Sequence, residues 1–211
     1  MTKEAGEGGA FDVSRRGMLA LGGGGMAVAA ASGAAIARGR GKTGKPAVSK
    51  EVTVTLREAT NVAIAAAPDG RTLAIDLLGI LWTLPVTGGT PVKLTGEFDD
   101  LGQPDWSPDG TRIVVQSYRT GNFHLWTVPA AGGVMQQLTD GLCDDREPRW
   151  SPDGRTIAFA SDRAEGRYAI HLLDVASGAV SILSKGASQD SEPCWSPDGK
   201  RIAYVADASR I

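Results

Sequence analysis

From residue 51 onward the apolar positions fall in short alternating runs separated by polar clusters. Arg155–Ser161 (RTIAFAS) spaces Ile157 and Phe159 two apart, and Tyr168–Val175 (YAIHLLDV) and Ala179–Leu183 follow it. Alternation at period two predicts half-buried strands. A Pro-Asp-Gly inside each run of this kind argues against helical repeats, since an interior proline removes a hydrogen bond and clashes with the preceding turn.

The punctuation is itself periodic. Trp-Ser-Pro-Asp-Gly stands at Trp106–Gly110, Trp150–Gly154 and Trp195–Gly199, with a worn copy, Ala66-Ala67-Pro68-Asp69-Gly70, ahead of them. The prolines are 40, 44 and 45 residues apart. Serine at i, proline at i+1 and glycine at i+3 suit a type I turn. A left-handed glycine after such a turn makes a three-residue hairpin with a bulge.

In the third repeat the predicted elements are strands at Glu147–Ser151, Arg155–Ser161, Tyr168–Val175 and Ala179–Leu183. A polar loop covers Asp162–Gly166 and a turn Ala176–Gly178. The second repeat gives Pro104–Trp106, Arg112–Ser117, Phe123–Val128 and Met135–Thr139. The first gives Arg71–Asp76, Ile80–Pro85 and Pro91–Thr95, and the fourth Lys200–Ala206. Four strands in 40 to 45 residues describe one propeller blade. The expected fold is therefore all-β: a β-propeller of four-stranded antiparallel blades over 51–211. Blades fall at about 58–99, 100–143, 144–188 and, incomplete, 189–211.

Glu51–Leu56 alternates like a strand ahead of the first blade. Propellers close with four to eight blades, so three and a half imply an incomplete ring. The expectation is a longer parent protein, with self-association to complete the ring as the alternative.

Residues 1–37 read differently. Ser14-Arg15-Arg16-Gly17-Met18-Leu19 opens an uncharged Gly/Ala-rich run that ends in Ala35-Ile36-Ala37. Paired arginines, a weak apolar region and an A-x-A exit resemble a twin-arginine signal peptide. Arg15 and Arg16 would be the export signal, and Ala35 and Ala37 the cleavage signal. The alternative, an uncleaved anchor, is opposed by the run's glycines and marginal length. Periplasmic or other extracytoplasmic location by twin-arginine export follows, with no membrane span left after cleavage. Residues 38–50 (RGRGKTGKPAVSK) read as a flexible basic linker.

Composition narrows the partners. A net charge of −2 over 211 residues, with no basic stripe, gives no sign of nucleic-acid binding. Cys143 and Cys194 are too few for a disulfide framework. Either they pair between adjacent blades, or both stay free.

Trp150–Arg163, read as Trp-Ser-Pro-Asp-Gly-x-x-Ile-Ala-Phe-x-Ser-Asp-Arg, resembles the repeat of the TolB-type, WD-repeat-like β-propellers of bacterial periplasms. The resemblance covers about 58–211. A narrower one lies in Asp76-Leu77-Leu78-Gly79, Leu81–Val86 and Gly88-Gly89, which is similar to the first blade of propellers preceding exported amidohydrolase domains. Similar propellers precede prolyl-oligopeptidase-type catalytic domains. The resemblance implies a catalytic domain following residue 211 in a full-length relative.

The chain itself shows no catalytic constellation. Its two histidines, His124 and His171, fall in third strands, and neither H-x-H, H-E-x-x-H nor G-x-S-x-G occurs. The candidate binding residues are the acidic loops ahead of each motif: Asp99 and Asp100, Asp144 and Asp145 with Arg146, and Asp190. Such carboxylates could ring one mouth of the channel and hold calcium or a basic peptide. They could equally cap turns. No cofactor other than calcium is suggested. The sequence thus predicts an exported, non-catalytic scaffold for a protein or peptide partner. The alternative is the substrate-gating propeller of an amidohydrolase or prolyl-oligopeptidase-type hydrolase.

Overall fold

The computed structural model describes residues 62–97, 99–164, 166–185 and 188–207, together with the backbone of four short strands nearer the N-terminus. The chain divides into two compact units, Met1–Thr60 with Gly89–Pro91, and Asn61–Gly88 with Val92–Ile211. In the first, β1 (Ala10–Ser14), β2 (Leu19–Gly22), β3 (Met26–Ala27) and β4 (Thr53–Leu56) form an antiparallel sheet in the order β3-β2-β1-β4. Arg15, Arg16, Ala35 and Ala37 lie outside the described residues. Among the described residues no helix is long and apolar enough to cross a membrane.

The second unit repeats one sheet. The first copy holds β5 (Ile64–Ala66), β6 (Thr72–Leu77), β7 (Ile80–Pro85) and β8 (Val92–Lys93). The second holds β9 (Leu101–Trp106), β10 (Arg112–Ser117), β11 (His124–Pro129) and β12 (Gln136–Gln137). The third holds β13 (Asp145–Trp150), β14 (Thr156–Ala164), β15 (Arg167–Asp174) and β16 (Val180–Ile182). The fourth comprises β17 (Gln189–Trp195) and β18 (Ile202–Asp207). Every pairing is between sequence neighbours and antiparallel.

The Pro-Asp-Gly motif builds the first hairpin of each sheet as its residues dictate. Gly110, Gly154 and Gly199 donate N–H to the carbonyls of Ser107, Ser151 and Ser196 at 2.8, 2.9 and 2.9 Å. Gly154 has φ +71°, which a side chain would strain. Each serine hydroxyl donates to the motif aspartate at 2.6 Å, and each aspartate accepts a backbone N–H two residues on. The turns also stack: a Cβ built on Gly154 would touch Pro108 at 3.5 Å, and one on Gly199 would touch Pro152 at 3.7 Å. The motif therefore closes its own hairpin and places it against the preceding one.

The second strand of the third sheet is buried on both faces, not half-buried as the alternation suggested. Ile157, Ala158, Phe159, Ala160 and Ser161 are all buried. Ile157 and Phe159 pack on Val114 and Leu125 of the second sheet, with Trp150 and Leu173. Successive strand residues point to opposite faces, so Ala158 and Ala160 turn the other way. In the second sheet Ile113 and Val115 pack likewise on Ala74 and Leu81 of the first.

A second correction concerns 162–166, read as a polar loop. β14 continues to Ala164 because Arg163 reaches back across Phe159 to the buried Asp145. Cys143 and Cys194 are both free.

Candidate functional site

The first strands of successive sheets run beside one another, and those of the second, third and fourth sheets carry the same irregularity. Gln103, Glu147 and Glu192, the residues before Pro104, Pro148 and Pro193, have φ of +54°, +55° and +52°. At each of them the register with the second strand slips. A residue before proline is driven from the right-handed helical region, and a left-handed non-glycine residue costs about 1–2 kcal/mol.

An inter-sheet hydrogen bond offsets that cost. Gln103 N–H donates to Asp76 Oδ2 at 3.0 Å and Glu147 N–H to Gln116 Oε1 at 2.9 Å. The third sheet has Ala160 at the matching position, which offers no acceptor. Glu192 N–H is instead taken by the Glu147 carboxylate at 2.6 Å.

Further polar bonds bind this row. Trp150 N–H donates to Asp105 Oδ2 at 2.7 Å, and Arg149 Nη2 to Gln103 Oε1 at 3.1 Å. The indole N–H groups of Trp106 and Trp195 donate to the carbonyls of Ala65 and Arg149, both at 3.1 Å. Burial pushes the Asp105 carboxyl above its usual pKa, against the opposing pull of the Trp150 N–H and the Arg149 charge. Asp76 is likewise raised by burial, with the Ala63 and Gln103 amides opposing. The row is a hydrogen-bonded polar face on which Glu192 is exposed and Glu147 and Arg149 are half-buried. The signal for this row in the sequence is the recurring x-Pro-x-Trp at Gln103–Trp106, Glu147–Trp150 and Glu192–Trp195, which the Pro-Asp-Gly periodicity does not include.

The acidic residues singled out from sequence meet different fates. Asp99 Oδ2 accepts Gly96 N–H at 2.8 Å, its Oδ1 lies 3.3 Å from Arg119, and its carbonyl accepts the Ser117 hydroxyl. Asp100 is exposed, with φ +44°. Asp144 accepts Phe123 N–H at 3.0 Å and Arg146 Nη2 at 2.8 Å. Burial works against the Asp144 carboxylate, but these bonds hold its pKa below the usual range. Arg146 stacks on Phe123, with 4.2 Å to the ring centroid.

Asp145 is wholly buried, with its two oxygens 2.8 and 2.7 Å from Arg163 Nη2 and Oδ2 3.7 Å from His124 Nδ1. Asp190 is buried and accepts the Ser188 hydroxyl at 2.6 Å. The carboxylates thus serve as turn caps, in ion pairs and in the sheet interior. Among the described residues no group of three or more His, Cys, Asp or Glu side chains could hold a metal ion.

His124 and His171 are buried blade residues. Burial lowers the His171 pKa below its usual 6.5, opposed by the bond from Nδ1 to the Ala169 carbonyl at 3.0 Å. The unfolded chain therefore takes up this proton at a higher pH than the folded one. Stability is expected to fall as the pH drops below about 6.5. Thermal melting at pH 8 and pH 5 checks this, and His171→Gln should flatten the dependence.

Antiparallel four-stranded sheets, stacked face to face through a recurring hairpin, define a β-propeller. The chain belongs to the TolB beta propeller domain family, whose model matches residues 90–210. No curated protein matches it in sequence. Among solved structures, a protein from Agrobacterium tumefaciens assigned as TolB superposes with a TM-score of 0.57 and 25% identity, over 76% of this chain and 75% of that one. TolB from Acinetobacter baumannii gives 0.64 and 22%, over 97% of this chain and 49% of that one. Puromycin hydrolase gives 0.59 and 22%, over 74% of this chain and 26% of that one. The chain therefore spans about half of the Acinetobacter protein and a quarter of the hydrolase.

Proposed function

We propose that this chain is an exported, non-catalytic TolB-like propeller module that binds a protein or peptide partner in the cell envelope. The observation that carries the reading is the row of left-handed residues at Gln103, Glu147 and Glu192. Their backbone is locked to the preceding sheet, and polar side chains are presented at the surface. Backbone strain of this kind persists where the surroundings over-determine it and clusters at binding sites. The exposed Glu192 carboxylate and the half-buried Glu147 and Arg149 suit an extended polypeptide with basic and amide groups. Asp99, Asp100, Asp144 and Arg146 stand at the entry to the first strands and are offered to the same partner; Asp190 helps shape the fourth entry from within its sheet. A calcium titration is expected to leave the melting temperature unchanged, because no three of these carboxylates converge among the described residues.

Export rests on Arg15 and Arg16 and on cleavage after Ala37. A photo-crosslinking residue at Glu147, and separately at Ser181 on the outermost strand, tests location and partner together. One discrete protein adduct in the envelope fraction from position 147, and none from 181, is expected. Adducts confined to the cytoplasm, or the same adducts from both positions, contradict the proposal.

The fit of puromycin hydrolase favours one other reading, a substrate-gating propeller within a larger hydrolase. An in-frame continuation past residue 211 carrying G-x-S-x-G or H-x-H would establish it.

A further inference from the structure

The stacked hairpins leave a cleft between neighbouring turns, and the three clefts are not alike. Between the first and second turns lies an opening of about 330 Å³, walled by Trp106, Pro68, Asp69, Asp109 and Thr72. Between the third and fourth lies its equivalent of about 370 Å³, walled by Trp195, Pro152, Asp153, Asp198 and Thr156. Between the second and third turns, Arg112 holds its guanidinium over the Trp150 ring, 5.1 Å from the centroid. Thr72, Arg112 and Thr156 occupy one repeat position, the second residue after the motif glycine. The protein thus shows, in one copy, what a cleft of this shape accepts.

We infer that the two open clefts are binding sites for arginine side chains presented by a partner protein. Each keeps the tryptophan wall and has a threonine in place of the resident arginine; Trp195 is half-buried there, while Trp106 is 8% exposed. Each also brings together two motif aspartates, whose Oδ1 atoms are engaged within their own turns. Their Oδ2 atoms have no hydrogen bond among the described residues. The Ser107 hydroxyl and Thr111 groups hold the Asp109 carboxyl down at about 2, so that it is charged at neutral pH. A planar guanidinium can stack on indole while its edge donors meet carboxylates, a combination that ammonium reproduces poorly. The fold uses the same pairing elsewhere, with Arg119 over Trp126 and Arg146 over Phe123.

The test follows the tryptophan indole N–H signals of the full chain by NMR during titration with argininamide, and with citrullinamide as its uncharged isostere. Saturable shifts of Trp106 and Trp195 with argininamide alone are expected, with Trp150 unmoved. Thr72→Arg should abolish the Trp106 response and Thr156→Arg the Trp195 response, by filling each cleft from within. Arg112→Thr should add Trp150 to the responding set. Unchanged Trp82 and Trp126 signals identify variants that remain folded. Silent Trp106 and Trp195 signals, an equal response to citrullinamide, or a response surviving Thr72→Arg in folded protein would overturn the inference. It rests on the protein-binding reading only for what carries the arginine. Silent clefts with an intact adduct at position 147 refute the clefts alone, and shifts without that adduct refute the first-strand row alone.

Discussion

Replacing Arg163 with methionine is expected to destabilise the propeller unit by about 3–5 kcal/mol, the usual cost of leaving a buried charge without its partner. Asp145 has no exposed surface, and both its oxygens lie within 2.8 Å of the Arg163 guanidinium. Its other neighbours are His124 Nδ1, 3.7 Å from Oδ2 and without a hydrogen bond among the described residues, and the Cys143 thiol, 3.8 Å from Oδ1. Removing the guanidinium also strips the cation from the face of Phe159, 5.5 Å from the ring centroid. The double substitution Asp145→Leu with Arg163→Met should recover most of the loss, because burying an ion pair costs desolvation that an apolar pair avoids. Urea unfolding of the three proteins measures this. An Arg163→Met variant as stable as the parent would contradict this.

Phe159→Ala is expected to cost a similar amount, about 3–5 kcal/mol for a fully enclosed aromatic. Phe159 has no exposed surface and sits where the second and third sheets meet, against Val114, Leu125 and Trp150. Its loss opens a cavity between blades that their stiff strands cannot collapse. Tyr204 occupies the matching position in the fourth sheet but is 42% exposed. Tyr204→Ala should therefore stay within about 1 kcal/mol, as surface changes usually do. Equal losses at the two positions would show that the fourth sheet is covered in solution.

The hairpins were legible in the sequence because their causes are local. Proline presets one dihedral, glycine alone tolerates the left-handed corner, and serine and aspartate close the loop within five residues. Strand burial was less legible. The alternation Ile157, Ala158, Phe159, Ala160 says which side is bulky, but alanine is equally at home under solvent or under another sheet. The acidic pairs were harder still. Asp144 and Asp145 are adjacent and chemically identical, yet one caps a loop with Arg146 and the other is sealed beneath Arg163. Their fates depend on a partner 18 residues away that had been read as loop. The bulges at Gln103, Glu147 and Glu192 could have been suspected from the recurring proline before each tryptophan. Their acceptors, Asp76, Gln116 and Glu147, lie in other repeats and carry no shared motif.

The first strands form one preorganised polar face, hydrogen-bonded from sheet to sheet. Residue-resolved hydrogen exchange tests it most directly, through the amides of Gln103, Glu147 and Trp150, which donate only to side chains of the preceding sheet. Protection matching that of Ile113 and Ile157 in the sheet cores is the predicted result, with Trp150 losing it in Asp105→Ala. Exchange as fast as that of exposed Asp69 and Asp153 in the turns would contradict it.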